Sequence, residues 1–310
     1  MLKYTLKRIL LMIPVILGIT FLVYFVLSVS PGNPAEMVLG PEATAEDVAA
    51  KEAELGLDKP VLVQYVTYMA KAVTGDFGKS WFQGFDVMEE FSHRIPYTIS
   101  LGFMAIAWAC LLGIPMGVIA AVRHNHFTDY IVTVLSLLLS SAPAFWLGMM
   151  YQMFFSLKLG WLPASGAGSF AHYILPALSL GGGVLASNAR TTRTWLLDSL
   201  RSDYVRTARA KGNKESVVIF RHALRNSLLP VITQIGTSFA IIMGGSVITE
   251  TVYAFPGIGS YLINAVKTKD IPIVMACIIV VALVVGITNL VVDLLYAVVD
   301  PRVQIGGKKK

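Results

Sequence analysis

The stretch IVMACIIVVALVVGITNLVV, residues 273–292, contains no charged side chain. The hydrocarbon layer of a bilayer is about 30 Å thick, and an α-helix needs roughly 20 apolar residues to cross it. This stretch has that length. Over the whole chain, 55% of the residues are apolar and only 14% are charged, a balance far from that of a soluble domain. The sequence therefore predicts a membrane protein.

Other windows of similar length predict an all-α polytopic fold with about six spans. The predicted spans are residues 9–29, 98–122, 130–157, 173–187, 229–248 and 273–292. The first span is longer than the core of a cleavable signal peptide, so we interpret it as a retained anchor. Pro176 and the three glycines at 181–183 interrupt the fourth span. Such an interruption requires neighbouring helices or a wet cavity to satisfy the backbone.

Lysine and arginine residues predict the orientation of the chain. The N-terminus, the turn at Arg123, the connection 190–225 and the C-terminal tail are basic. Because basic segments stay on the cytoplasmic side, six spans place both termini in the cytoplasm. This topology also explains most of the cations, so we do not expect nucleic-acid binding.

The predicted organisation has three parts. Residues 1–30 form the N-terminal tail and first span, residues 31–97 an acid-rich extracytoplasmic segment, and residues 98–310 a core with five spans and a cytoplasmic loop at 190–228. Within the extracytoplasmic segment, residues 45–55 have helix-forming composition, and Gly56 followed by Pro60 is a stop signal. Apolar residues at helical spacing in 61–73 predict a second helix, which would lie on the outer surface of the membrane.

Few residues of the chain are candidates for metal binding or catalysis. His124 and His126 form a His-x-His pair, but no acidic or thiol partner follows at ligand spacing, so we interpret them as a polar turn. Cys110 and Cys277 fall inside predicted spans and are interpreted as small buried hydrophobic residues. We find no complete nucleotide-binding loop and no catalytic motif, and we expect no enzymatic activity in this chain.

Ionisable residues near predicted spans are the usual indicators of a transport pathway. Here Arg190 and Arg193 follow the fourth span, Glu250 follows the fifth, and Asp293 ends the sixth. Because all four lie close to a membrane interface, snorkelling or partner contacts would suffice for them, and we interpret them as structural. The small number of buried charges disfavours an ion-coupled secondary transporter, which remains an alternative.

The segment DYVRTARAKGNKES, residues 203–216, lies in the cytoplasmic loop. Asp203 is predicted to cap a short helix that ends at Gly212 and Asn213. Val205, Ala208 and Gly212 would share one face, and their small side chains would allow another backbone to approach. A loop that only holds the spans in place is the simpler interpretation, but a docking element for a soluble partner explains this ridge better.

A second short helix is predicted after this segment. Val217, Phe220, Leu224 and Leu228 would form its apolar stripe, with Arg221 and Arg225 on the opposite side. Pro230 is expected at the start of the next transmembrane helix.

At these residues the chain resembles the permease subunits of ATP-binding-cassette importers, specifically the dipeptide, oligopeptide and nickel family. The matching blocks, in order along the chain, are LGLDKPVLVQY (55–65), SAPAFWLGM (141–149), DYVRTARAKG (203–212), HALRNSLLPVIT (222–233), ITETVYAFPGIG (248–259) and NLVVDLLYAVVDPR (289–302). The broader importer motif begins Glu-Ala-Ala, with a glycine four residues after the last alanine. Here Arg206, Thr207 and Ala208 occupy the first three positions, so only Ala208 and Gly212 match it.

The resemblance implies a type I importer permease in a bacterial or archaeal cytoplasmic membrane, paired with a second homologous permease. Two cytoplasmic ATPases would bind ATP and Mg²⁺, an extracytoplasmic binding protein would deliver the substrate, and this chain would bind no cofactor. The coupling helix that contacts an ATPase would comprise Asp203, Tyr204, Val205, Arg206, Thr207, Ala208, Arg209, Lys211 and Gly212.

The resemblance also implies an external turn that helps to receive the binding protein. Its residues are Glu250, Phe255, Pro256, Gly257 and Gly259, although ordinary turn chemistry explains the same Pro-Gly pair. Peptides are the expected substrates because no histidine or acidic cluster lines a predicted span. Nickel, a metal chelate or glutathione remain alternatives, as does a membrane-anchored scaffold that binds an ATPase but passes nothing.

Overall fold

A computed structural model of the chain describes residues 2–299, which are mainly helical. The α-helices are α1 (Leu2–Val29), α2 (Pro34–Leu39), α3 (Ala45–Leu55), α4 (Val61–Val73), α5 (Val87–Val122), α6 (Phe127–Ser141), α7 (Ala144–Tyr151), α8 (Ala171–Leu200), α9 (Asp203–Ala210), α10 (Glu215–Val217), α11 (Arg225–Val252), α12 (Ile258–Thr268) and α13 (Ile271–Val299). Two π-helical segments, Gln152–Lys158 and Val218–Leu224, continue α7 and α10. Within the described residues, the only strand-like pairing is an isolated bridge between Lys79 and Asp86.

Length and apolar composition identify four helices that could cross a membrane in the described part of the chain. They are Tyr4–Val29, Val87–Val122, Pro230–Val252 and Ile271–Leu294. The α6–α7 pair, extended by its π segment to Lys158, makes a fifth if it is counted as one broken span. These findings confirm an all-α polytopic fold.

The predicted third span, residues 130–157, is wrong as a single straight helix. The chain bends by 103° between Phe127–Ser141 and Ala144–Lys158. Ala142 is extended, with φ −81° and ψ 128°, and Pro143 precedes the first turn of α7. A proline disfavours the helical conformation in the residue before it, which explains why the helix breaks at this point.

The predicted fourth span lies within α8, and the expected interruption at Pro176 and the glycines is wrong, because α8 continues through them from Ala171 to Leu200. This helix is long enough to cross a bilayer, but it carries buried polar residues, including Ser179, Asn188 and Thr192. Its composition does not mark it as a span. The crossing of α8, and with it the cytoplasmic position of both termini, stays a prediction.

The chain divides into two compact units. Among the described residues, the core unit comprises 2–4, 99–255 and 285–299, and the N-terminal unit comprises 5–98 and 256–284. In the core unit, α8 is the central helix, with extensive contacts to α6, α7 and α11. The residues considered for coupling all belong to this unit.

Close backbone packing joins α5 to α8 in the core unit. A Cβ atom on Gly113 would lie 2.7 Å from the Leu185 carbonyl oxygen, and one on Gly117 would lie 2.5 Å from the Ala189 carbonyl oxygen. On α8, a Cβ atom on Gly181 would lie 2.6 Å from the Ala105 carbonyl oxygen. Small residues allow membrane helices to approach closely, so these glycines make α5 and α8 one packed pair.

Replacing Gly117 with alanine is therefore expected to destabilise the chain. The new methyl group would meet the α8 backbone and the Thr192 Cβ atom at 2.6 Å, and overpacking of this kind costs about 1–3 kcal/mol. Gly183→Ala on α8 is the matched control, because no heavy atom lies within 4 Å of its Cβ position. Thermal unfolding in detergent should show a lower melting temperature for Gly117→Ala only. Equal melting temperatures would contradict the proposed tight packing of α5 on α8.

The N-terminal unit confirms both helices predicted in residues 31–97. Thr44 and Asp47 form a capping box at the start of α3, and Gly56 ends that helix in the left-handed conformation, with φ 72°. Helix α4 has the predicted bounds and buries Tyr65 while exposing Leu62. Its position on a membrane surface stays a prediction.

Two buried polar residues join loops of the N-terminal unit to the start of α13. Lys269 Nζ donates to the carbonyl oxygens of Ser30 and Gly32 at 2.6 and 2.7 Å. Asp270 accepts hydrogen bonds from Ser80 Oγ at 2.6 Å and from the Trp81 amide at 3.3 Å. Burial raises the pKa of the Asp270 carboxyl, and these hydrogen bonds act in the opposite direction. The two residues therefore anchor the loops on which α3 and α4 are carried.

Candidate functional site

Helix α9 forms within the segment predicted to couple the chain to a partner. Ser202 is its N-cap and Asp203 is the first helical residue, so the prediction that Asp203 caps the helix is wrong by one position. A carboxylate in the first turn still favours the helix through the helix dipole. The predicted end is confirmed: Gly212 has φ 76°, and Asn213 Nδ2 donates to the Ala208 carbonyl oxygen at 2.9 Å.

The predicted ridge on α9 faces into the core unit. Val205 and Ala208 are buried in a cluster with Val118 and Ala121 of α5, Leu196 of α8, and Val218 and Ala223 of the second π segment. The interpretation that an external partner grips these two residues is therefore wrong, since their own chain covers them. Gly212, the third member of the predicted ridge, is exposed.

The exposed face of α9 and its C-terminal turn consists of the other predicted coupling residues. These are Asp203, Tyr204, Arg206, Thr207, Arg209, Lys211 and Gly212. Arg206 Nη1 lies 3.8 Å from Asp203 Oδ1, and both side chains are largely in solvent, so this ion pair adds little stability. Arg209 donates to both Glu215 carboxylate oxygens, at 2.6 and 3.1 Å, and this hydrogen bonding lowers the pKa of Glu215. The structure thus presents a polar, mainly cationic surface on a helix fixed from behind.

The apolar stripe predicted after α9 is correct only in part: Leu224 packs against the α9 cluster and Arg221 and Arg225 are exposed, but the fully buried positions differ from the prediction. Residues 218–224 form a π-helical segment, in which each turn contains more residues than in an α-helix. The buried side chains are consequently Val218, Ile219 and Ala223, while Phe220 is 61% exposed. Helix α11 begins at Arg225, five residues before Pro230, but its candidate membrane span begins at Pro230, as predicted.

A buried ion pair that sequence reasoning missed joins α6 to α8. Arg193 donates from Nε to Asp129 Oδ1 at 2.6 Å and from Nη2 to Asp129 Oδ2 at 2.8 Å. The Asp129 side chain is only 4% exposed and also accepts from the Asn125 amide at 3.1 Å. His124 Nδ1 lies 3.2 Å from both Asp129 Oδ2 and Arg193 Nη2, so the prediction that this histidine lacks a nearby acidic partner is wrong.

This ion pair lies close to the cluster that holds α9. Arg193 is one helical turn before Leu196, which is fully buried against Val205 and Ala208. On α8, Arg190 Nη1 donates to Ser140 Oγ at 3.0 Å, giving α6 a second tie to the same helix. Helices α6 and α8 and the α9 cluster therefore form a continuous set of packed and hydrogen-bonded contacts within the core unit.

The residues of the predicted external turn are mostly buried. Glu250 and Phe255 belong to the core unit and are fully buried, and Phe255 stacks edge-on against Tyr173 with ring centroids 4.9 Å apart. In the N-terminal unit, Gly257 and Gly259 are buried and Pro256 is half-buried. Buried side chains cannot themselves form a contact surface for a binding protein. Snorkelling also does not explain Glu250, because its own chain covers it.

The remaining candidate residues, Asp293, Cys110 and Cys277, have structural surroundings. Tyr4 Oη donates to Asp293 Oδ2 at 3.1 Å. Cys277 is fully buried and Cys110 is half-buried, in agreement with their interpretation as small hydrophobic residues. Within residues 2–299, no group of three His, Cys, Asp or Glu side chains is arranged to hold a metal ion.

Comparisons with known proteins give matches along nearly the whole chain. A family model described as binding-protein-dependent transport system inner membrane component matches residues 113–305, and the model of the N-terminal part of such membrane components matches residues 1–102. The glutathione transport system permease protein GsiC of Salmonella choleraesuis is 42% identical over 304 residues, which cover 98% of this chain and 99% of that protein.

Two further matches are named for other substrates. The dipeptide transport system permease protein DppB of Alkalihalophilus pseudofirmus is 39% identical over 332 residues, covering 98% of this chain and all of that protein. Among solved structures, a chain of the MetNI methionine ABC transporter in an inward-facing conformation has a TM-score of 0.58 at 16% identity. That match covers 69% of this chain and 97% of the MetNI chain, and at this identity it is evidence for the fold alone.

Proposed function

This chain belongs to the family of binding-protein-dependent transport system inner membrane components, and from that membership we propose that it conducts short peptides across the membrane. It is a multi-pass permease subunit of an ATP-driven importer in a bacterial inner membrane. This family membership favours an importer permease over the ion-coupled carrier and the non-conducting scaffold. We also propose its substrate, its precise partners and the residues that couple it to an ATPase.

The observation that carries the substrate proposal is the full-length similarity to permeases named for dipeptide and glutathione transport. Glutathione is itself a tripeptide, so both names indicate short peptide backbones. This common chemistry favours peptides over nickel or a metal chelate. An external binding protein would select among peptides, and the permease would conduct what that protein delivers.

The partners in the proposal are those expected of an importer complex. A second homologous permease would complete the pathway, two cytoplasmic ATPases would bind ATP and Mg²⁺, and an extracytoplasmic binding protein would deliver the peptide. The exposed face of α9 supports the assignment of α9 as the coupling helix, because it offers several polar side chains on a helix that α5 and α8 hold in place. Movement of α9 with an ATPase would then displace the helices packed against it.

Peptide uptake by the reconstituted importer tests this function. This chain would be purified together with a second permease, two ATPases and a binding protein from the same organism, and the complex would be inserted into proteoliposomes containing ATP. We expect uptake of a labelled dipeptide or of glutathione that requires both ATP and the binding protein. Nickel uptake in the absence of peptide uptake would overturn the substrate assignment. A vesicle without ATP but with an ion gradient is the control.

A further inference from the structure

A cavity of about 330 Å³ lies in the core unit between the α6–α7 bend, α8 and α11. Its polar and glycine lining residues are Ser140, Ser179, Gly183, Ser187, Gln234, Ser238 and Gly245. Its volume is at the lower end of the range of about 300–1,000 Å³ that is typical of small-molecule sites. The cavity is thus large enough to consider as a binding site.

The bend at Pro143 and two glycines leave this space open. The 103° change of direction between α6 and α7 turns α7 away from the course of α6, and both sides of the bend line the cavity. No heavy atom lies within 4 Å of the Cβ positions of Gly183 and Gly245. By contrast, Gly181 on the same helix contacts the α5 backbone. The glycines of α8 therefore have two roles: Gly181 permits close packing, and Gly183 leaves room in the cavity.

The chemistry of the lining suits a peptide backbone. Its residues, all within the described part of the chain, include serine hydroxyls and the Gln234 amide but no Asp, Glu, Lys, Arg or His. Hydroxyl and amide groups can both donate and accept, so they can pair with either the N–H or the C=O of a peptide. Leu139, Leu147 and Ile241 add apolar surface for side chains. A cation does contact the lining, since Arg190 donates to Ser140 Oγ at 3.0 Å.

We propose that this cavity is the part of the substrate path that this chain contributes, and that it binds the backbone of a short peptide in transit. The inference rests on the proposed function, since it assigns the place where a peptide would pass. Ser187 of α8 and Gln234 of α11, whose Nε2 also donates to Ser238 Oγ at 3.3 Å, supply hydrogen bonds, and Gly183 and Gly245 keep the passage wide. The competing explanation is a dry contact with the second permease, because small residues also favour helix packing in membranes.

Thiol accessibility in the complete importer distinguishes a wet path from a dry contact. In a background of Cys110→Ala and Cys277→Ala, single cysteines would replace Gly183, Ser187 and Gln234, and Leu138→Cys would serve as the control. Leu138 is 63% exposed on α6 but does not line the cavity. The probe is a cationic, membrane-impermeant methanethiosulfonate, and mass spectrometry would report the labelling. Thiolates form in water and are suppressed in apolar surroundings, so we expect labelling at the lining positions about tenfold faster than at position 138.

Peptide protection and a blocking substitution complete the test. Saturating peptide with its binding protein is expected to slow labelling at the lining positions, and Gly183→Phe is expected to abolish uptake while the second permease still co-purifies. Loss of co-purification in Gly183→Phe, or labelling no faster than at position 138, would overturn the path assignment. If the unsubstituted importer takes up no peptide at all, the proposed function fails instead, while the labelling still decides whether the cavity is wet.

Discussion

Replacing Arg206 and Thr207 of α9 with glutamate is expected to reduce ATP-driven uptake by about tenfold or more, because contacts at the centre of an interface are often worth at least 2 kcal/mol. Both side chains lie on the exposed face of the helix. Within residues 2–299, Arg206 has one ion pair, the weak one with Asp203, so its loss should leave the melting temperature of the chain unchanged. Uptake in proteoliposomes and co-purification of the ATPases are the measurements.

Two control variants separate docking from folding. Lys71→Glu changes the charge of an exposed lysine on α4, far along the chain from α9, and should preserve uptake. Ala208→Glu would instead force a carboxylate into the buried cluster beside Val205 and Leu196, and it should lower the melting temperature. If the Arg206 and Thr207 double variant retains both ATPase binding and uptake, α9 is not the coupling helix.

The contrast between these variants shows what sequence periodicity can and cannot predict. The pattern correctly placed a short helix ending at Gly212, because helix ends depend on local backbone chemistry. It could not decide which surface covers Val205 and Ala208. An apolar face has the same pattern whether it packs on its own chain or on a partner, and here α5 and α8 cover it.

The other predictions succeeded where local backbone chemistry fixes the structure and failed where packing fixes it. The bounds of α3 and α4 were predictable because caps, glycine and proline fix them locally. The π segment at residues 218–224 was not, since an extra residue in a turn shifts every later side chain without leaving a mark in composition. Pro143 was visible in the sequence, but the surrounding apolar run concealed the bend that it causes.

The Asp129–Arg193 pair was inaccessible to sequence reasoning because its partners are 64 residues apart and meet only after α6 packs on α8. We expect Asp129→Asn to lower the stability of the chain by about 1–3 kcal/mol, since Arg193 loses its charged partner but its side chain is 27% exposed and water can partly replace the carboxylate. Arg193→Gln should cost at least as much, because the carboxylate of Asp129 is the more buried of the two groups. Thermal unfolding in detergent would measure both effects.

The double variant Asp129→Asn with Arg193→Gln tests whether the loss comes from the pair itself. Two neutral amides leave no buried charge, so the double variant should be more stable than the sum of the single losses predicts. Additive losses would contradict a specific ion pair.

Transport adds a second measurement to this double-mutant cycle. Because Arg193 lies one turn before Leu196, which packs on α9, the pair connects the α9 cluster to α6 and the bend beyond it. If it transmits the movement of α9, the single variants should import less peptide for each ATP hydrolysed, at a temperature where they remain folded. A variant that loses stability but keeps this ratio would show that the pair holds the helices together without taking part in coupling.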